Sequence, residues 1–541
     1  MPFRIHLAFA LITALLLAIT LRPDERHHYT FAKVQASAQE LARQPFVPLP
    51  DILPPQLKKL SPAQEQGIFW KETYRLWRNK GLPFQVDFYH VSNEGHTSPQ
   101  INTVDNGGAH LLAYSPAFFN FQNLSFQPPL PTNLGYAGFY LRYPINKPNS
   151  LDGFFSVLGS NYFRALAKDQ VYGLSARALA INTGLDGKAE EFPEFKEWWL
   201  HEPAPNASEI VLDALLDSPS VTGAYGFKIH PGAVTSIDVH ATLYFRQRVE
   251  WLGLAPFSSM YLYGENAPEH FGNFHPEIHD SDGLLINTSK GDWLWRPLGQ
   301  APLFQIYKFT DENPKGFGLI QRDRDFQHYQ DMDLKYNVRP SAWVIPHGNW
   351  GKGSIVLAHH PSKDPNTDNV ALFWHPDQIP NAGDRMDIDY TIEFYMNDAN
   401  RPPLAYSNQT LIVCPAPPPP LLPPVGPIVG PPLQKNDTPP IPKPGDTTPV
   451  QFLVDFIGNG MDSLPANEPP HLYLHCDPPE TILRESKVEK IGSDNAWRAS
   501  FTIIPFKHHV PTELQCRLMQ NTQSPADAKP LTEEWTYTWH Q

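Results

Sequence analysis

Beyond residue 45 the apolar runs of this chain are short, and nearly all of them stop at a proline, a glycine or an asparagine. Proline has no N–H to give to a helix or a sheet ladder, so it ends both kinds of element. With 59 prolines in 541 residues, about twice the usual ~5%, the chain cannot be a helical bundle. What survives between the interruptions reads as strands: Phe84–Tyr89, Ala137–Tyr143, Ser236–Phe245, Phe304–Phe309, Gly353–Ala358, Asn369–Trp374 and Met386–Phe394. In Ile237-Asp-Val-His-Ala-Thr-Leu-Tyr-Phe245 apolar residues fall at every second position, which places one face of a strand in a core. The fold class predicted is all-β, with a large antiparallel sandwich at its centre.

Two segments stand outside that pattern. Arg4 leads an apolar run from Leu7 to Leu21, closed by Arg22, Asp24, Glu25 and Arg26. A membrane span needs about 20 apolar residues, whereas a basic lead and a shorter core fit an export signal. Residues 1–29 are read as a signal peptide, with a retained N-terminal anchor as the alternative. Phe31, Val34, Ala38 and Leu41 then recur at helical spacing and predict the first mature helix. The second segment is the proline-rich stretch 415–446, an extended spacer that cannot pair in a sheet. It interrupts a unit, 401–541, whose predicted strands Val450–Phe456, His471–Cys476, Ala496–Pro505, Glu513–Arg517 and Glu534–Trp539 suit an immunoglobulin-like module. The main β-sandwich is assigned to residues 30–400.

Composition narrows function. The net charge is −14 and no basic block offsets it, which excludes nucleic acid, because that binding needs clustered Lys and Arg. The 66 aromatic residues suit either an ordinary sandwich core or the stacking faces of a carbohydrate site. Only three cysteines occur, so disulfides do not frame the fold. Cys476 and Cys516 each lie within a strand-like stretch, either bonded or as two buried thiols.

No Walker loop, complete Gly-x-Gly-x-x-Gly, Gly-x-Ser-x-Gly or HExxH is present. What remains is carboxylates among aromatics and arginines. His270 to Gly283 carries His275, Glu277, His279, Asp280 and Asp282. Pro276 breaks any regular His pair, so no metal is assigned. Asp280 and Asp282 read either as turn caps before Gly283 or as a general base. Asp364-Pro-Asn-Thr367-Asp368-Asn369 likewise reads as turn chemistry before a strand, or as an acid held at a strand mouth. Glycosidic cleavage needs two such groups flanking the bond, and two Asp-bearing turns supply two.

Several long segments together resemble one family. They include Leu158-Gly-Ser-Asn-Tyr162-Phe-Arg164, Val171-Tyr-Gly-Leu-Ser-Ala-Arg177, Pro276-Glu-Ile-His-Asp280-Ser-Asp-Gly283, Trp293-Leu-Trp-Arg-Pro297, Arg339-Pro-Ser-Ala-Trp343, Asn349-Trp-Gly-Lys-Gly353 and Thr367-Asp-Asn369. They resemble the periplasmic (osmoregulated) glucan biosynthesis family known as OpgG and OpgD, formerly MdoG and MdoD, from about Phe31 to about Phe394. The resemblance implies a large galactose-mutarotase-like sandwich followed by a small immunoglobulin-like one. It implies a periplasmic protein acting on β-1,2-linked glucan without a cofactor, as an anomer-inverting endo-β-1,2-glucanase. A transglycosylase that closes a cyclic glucan, and a non-catalytic scaffold for the inner-membrane glucosyltransferase, are the alternatives. A homodimer is a further expectation, from dimers among relatives.

Carried over by position, Asp368 matches the general acid, and Asp280 the general base, which reaches its water through a relay that includes a substrate hydroxyl. Tyr336, Trp295, Trp343 and Trp350 are expected as sugar-binding platforms, Arg296 and Arg339 as hydroxyl partners, and Thr367 as part of the loop over the acid. The chain departs from the family at Asp364-Pro-Asn-Thr-Asp368, where relatives carry Glu-Thr-Asn-Asp, and in its proline tract and its His-rich segment after Glu265.

Overall fold

A computed structural model describes residues 29–540, apart from 160, 186, 267–273, 302, 399, 415–447, 493–495, 508–509 and 523–527. The expected signal peptide, but for Tyr29, and the proline-rich tract lie outside the described residues. The fold is an all-β sandwich. Two sheets, of ten and fourteen strands, enclose one large core that includes Phe139, Trp198, Phe227, Leu243, Phe257, Trp374 and Ile392. All seven strands expected in this region form, with ends shifted by a few residues, for example Val234–Phe245 and Arg385–Tyr395.

The alternation in Val234–Phe245 explains how the sandwich is finished. Ile237, Val239, Ala241, Leu243 and Phe245 are buried in the main core. On the opposite face Asp238 is exposed, but Thr242 and Tyr244 are buried, because the helix Phe31–Leu41 lies over them. Val34 and Ala38 pack on Trp199, Leu215, Ala224 and Tyr244. Gln35 bonds Thr242 at 2.9 Å, and Thr222 donates to the Ala38 carbonyl at 2.6 Å. The helical spacing at 31, 34, 38 and 41 is thus a stripe that covers the outer face of the larger sheet.

That sheet does not end with the sandwich. Strand Trp293–Pro297 pairs in parallel with Glu534–Trp539, Trp295 beside Trp535. His471–Asp477 and Thr512–Met519 follow, and with Glu534–Trp539 they share a second core with the sheet Tyr406–Val413, Val450–Ile457, Ala496–Ile504 and Ile482–Ile491. Phe452, Trp497, Phe501 and Trp535 are fully buried there. Ile482–Ile491 escaped sequence reading because it is an edge strand and mostly exposed, so it shows no apolar alternation.

In this module Cys476 stands opposite Leu514, and Cys516 opposite Leu474. The two thiols are diagonal rather than facing, beyond easy bridging reach, and both are free. Burial pushes the Cys476 thiol up to about 11 and Cys516 further still. Without reductant, the native protein is therefore expected to react with a thiol reagent at exposed Cys414 alone, and the unfolded chain at all three. A single reactive thiol after unfolding would contradict this arrangement.

Candidate active site

The two sequence-nominated carboxylates meet through one short stretch of backbone. Strand Leu252–Ser259 passes into Tyr261–Tyr263, and both neighbours of this junction carry an aspartate. On one side Tyr261 pairs with His279, and the next N–H, of Asp280, donates to the Met260 carbonyl at 2.8 Å. On the other side Val370 pairs with Ser259, and the Asn369 N–H donates to the Ser259 carbonyl at 3.0 Å. Asn369 locks this side, its Oδ1 accepting from the Tyr261 N–H and its Nδ2 donating to the Tyr261 carbonyl, each at 2.9 Å. Ser259 and Ser281 hydroxyls bond across the junction at 2.9 Å. Asp280 and Asp368 are thereby fixed relative to each other by rigid sheet edges rather than by free loops.

Their surroundings differ. Asp280 is 5% exposed and its carboxylate accepts from the Arg339 guanidinium. Arg339 lies over the Tyr336 ring, 4.2 Å from its centroid. Gly173 makes room for it, since a Cβ there would stand 3.0 Å from the arginine's own Cβ. Asp368 is solvent-exposed at its surface, yet the surrounding protein desolvates its carboxyl and raises its pKa above the ordinary value. The positive charges of Arg164, Arg177 and Arg339 oppose that rise, and the negative charge of Asp280 adds to it. Among the described residues no hydrogen bond holds the Asp368 carboxyl; the turn before it is tied by Asp364, which accepts from the Asn366 N–H at 2.9 Å and from the Thr367 hydroxyl at 3.2 Å. The turn chemistry thus belongs to Asp364 and Asn369, and Asp368 is left free to act.

Behind Asp280 lies a buried charged network. His279 is fully buried, stacked on Tyr261 with ring centroids 5.3 Å apart. Burial alone would lower its pKa, but the Asp282 and Glu277 carboxylates win and push it up to about 9. As an imidazolium it donates from both nitrogens, to Glu277 at 2.8 Å and to Gln321 at 3.1 Å. Glu277, His279 and Asp282 bring their ligand atoms within 4.8 Å of one another. Glu277 and Asp282, with Glu265, Arg322, Asp323 and Trp295, line a cavity of about 510 Å³ that neither Asp280 nor Asp368 reaches. Burial and the neighbouring acids push the Glu265 carboxyl up.

Residues 29–539 match a family model described as periplasmic glucan biosynthesis protein, MdoG. The chain belongs to this family. Glucans biosynthesis protein G of Pectobacterium atrosepticum is 36% identical over 510 residues, spanning 94% of this chain and 92% of that protein. The protein of the same name from Sodalis glossinidius is 37% identical over 511 residues, with the same shares. Among solved structures, the Slr1438 protein of Synechocystis is 10% identical, covers 51% of this chain and all of its own, and has a TM-score of 0.23. A polysaccharide lyase is 8% identical, covers 73% of this chain and 44% of its own, and has a TM-score of 0.20. Both scores are too low to speak to fold or function.

In this member of the MdoG family the other residues expected at the site scatter. Arg339 joins Asp280, but Tyr336 is 1% exposed beneath it, its hydroxyl pushed up to about 12 by burial. Trp295 is 3% exposed and covered by the Arg322 guanidinium, 3.5 Å from the ring centroid. Trp343 is buried against Trp293, and Trp350 packs on Trp374 and Tyr390. Arg296 is buried, bonds Thr538 and lies 3.6 Å over the Tyr307 ring. Thr367 turns back onto Asp364. The expected stacking role of Tyr336, Trp295 and Trp343 is therefore corrected: their faces are already occupied by protein.

The groups that do stand around Asp368 were not singled out as site residues: Arg164, Arg177 and Tyr162. Arg177 lies 4.9 Å over the Tyr162 ring and bonds Glu190 at 2.7 Å. Their signal was present in the sequence. In Tyr162-Phe-Arg-Ala165 the alternation turns Phe163 and Ala165 into the core and leaves Tyr162 and Arg164 on the outer face.

A desolvated acid gives a pH test. With its pKa raised, Asp368 keeps its proton above the ordinary Asp range, and any turnover that draws on this proton is expected to fall as pH rises through that value. Because Arg164 opposes the rise, Arg164→Met is expected to move the alkaline limb of the kcat–pH profile to higher pH. A limb that stays put would show that Arg164 does not act on the acid.

Proposed function

We propose that this protein is a periplasmic β-1,2-glucan hydrolase of the endo type that inverts the anomeric centre. The observation that carries the proposal is the fixed placement of Asp280 and Asp368 on either side of the Ser259–Tyr261 junction, one in an ion pair and the other desolvated. Two carboxyl groups in unlike environments are what acid and base roles require. Membership of the MdoG family and the names of its relatives support glucan as the substrate, and the motif resemblance supports the β-1,2 linkage. The family and the apolar leader at 7–21 support export to the periplasm, where a membrane glucosyltransferase would deliver the chain. No described helix is long and apolar enough to cross a membrane.

In this mechanism Asp368 gives its proton to the departing glycosidic oxygen as the C1–O bond breaks. Water attacks C1 from the opposite face and loses its proton, through a substrate hydroxyl, to the Asp280 carboxylate. Arg339 holds Asp280 in place and Arg164 faces the acid. Both Asp368 and Arg164 are exposed, so the middle of a long chain can lie across them.

Mass spectrometry of products from linear β-1,2-glucan tests the reading. Shorter linear chains support hydrolysis. Products lighter by one water would assign cyclising transglycosylation, in which a sugar hydroxyl replaces water. An unchanged substrate that still binds would leave a scaffold.

A further inference from the structure

The segment Gln321–Arg324 is a hub that grips the base, its arginine partner and the C-terminal module at once. Gln321 is fully buried, and its Nε2 donates to the carbonyls of His279 and Tyr336, each at 3.3 Å, and to the Tyr329 hydroxyl at 2.9 Å. It therefore ties the residue before Asp280 to the turn Tyr336–Val338 that presents Arg339. Arg324 adds bonds to the carbonyls of Asn337, at 3.2 Å, and Arg339. Backbone N–H groups of Arg322 and Asp323 both donate to one carboxylate oxygen of Asp282, two residues after Asp280.

The side chain of Arg322 points the other way, to the C-terminal module. Its two terminal nitrogens meet both oxygens of Glu533, at 2.6 and 2.8 Å, and it also donates to the Ser407 carbonyl at 2.7 Å. Glu533 is 1% exposed, and it accepts from the Ser407 N–H at 2.9 Å as well. A buried bidentate pair of this kind has few alternative geometries. Removing one partner leaves a buried charge that must find another position.

We infer that Glu533 is a positioning residue for the glucan-cleaving site, acting through Arg322 and Asp282 on Asp280. The C-terminal module is then part of the active apparatus rather than an appendage, because it supplies the counter-charge that sets the hub. This rests on the assignment of Asp280 as the base, but the mechanical coupling itself does not need that assignment. Glu533 touches neither substrate nor reacting atoms.

The test uses the full chain and two variants. Glu533→Gln removes the charge at the hub. Asp455→Asn removes one from another paired site of the same module, where Asp455 meets Arg498 at 2.7 and 2.8 Å and bonds neither Arg322 nor Glu533. Hydrogen exchange of peptides spanning 278–283 and 336–341 is expected to quicken in Glu533→Gln and to stay at the wild-type rate in Asp455→Asn. On β-1,2-glucan, kcat of Glu533→Gln is expected to fall about ten- to a hundredfold with KM nearly unchanged, as a small misplacement of a reacting group would cause. Asp455→Asn is expected to keep its kcat. Unchanged exchange at 278–283 in Glu533→Gln overturns the coupling, whether or not the wild type cleaves glucan. Faster exchange with full kcat confines Glu533 to a structural role and overturns positioning. An inactive wild type with the exchange pattern as stated removes the hydrolase reading and leaves the coupling standing.

Discussion

Asp368→Asn is expected to lower kcat on β-1,2-glucan by about 10²–10⁴-fold, the usual worth of a general acid, with glucan binding retained. The amide keeps the size of the carboxyl and its place beside Arg164 and Arg177, but it has no proton to give to the leaving oxygen. Because no hydrogen bond among the described residues depends on the Asp368 carboxyl, and Asn369 carries the bonds to Tyr261, the fold around it should stand. Thermal stability close to that of the wild type, beside lost turnover, is therefore part of the expectation. A variant with full activity would remove Asp368 from the chemistry. One that loses binding as well would give it a role in holding the chain.

The largest expected effect on stability lies elsewhere, at Trp198. Its ring is fully buried between the two great sheets, with ring centroids of Phe195, Phe139 and Phe227 at 4.5, 5.3 and 5.6 Å. Three aromatic neighbours held by three different strands cannot collapse into the space an alanine would leave. Trp198→Ala is expected to cost about 3–5 kcal/mol, the range for large aromatic truncations in a core. Chemical denaturation would read this as a lower midpoint for the sandwich. A loss within ~1 kcal/mol would mean the sheets can close on the void, contrary to the packing described.

How much of this was legible depended on which force decides each position. Strand identity was legible because burial of one face imposes alternation on the residues themselves, as in Ile237–Phe245. The helix at Phe31–Leu41 was legible for the same reason at a different period. The exposed edge strand Ile482–Ile491 was not, since an edge with little buried on it leaves no pattern. Asp280 and Asp368 were legible as turn-borne acids, yet only the register about Ser259–Tyr261 shows that turns 88 residues apart in sequence share one junction.

The stacking platforms failed for a physical reason. An aromatic residue at a cleft and one in a core have the same composition signal, and Trp295 and Trp343 are spent on the joint with the C-terminal strands. Arginines misled in the same way. Arg296 serves the joint with Thr538 and Tyr307, whereas Arg164, one of many polar residues alternating with core ones, faces the acid. The Arg322–Glu533 pair spans 211 positions, and no local pattern announces a partner so remote.

The most direct test of the account is the anomer first released when the wild-type protein cuts linear β-1,2-glucan, followed by NMR before mutarotation. Attack by water on the face opposite the departing oxygen requires that the new reducing end appear with the inverted α configuration. Initial release of the β anomer would contradict the acid and base roles given to Asp368 and Asp280.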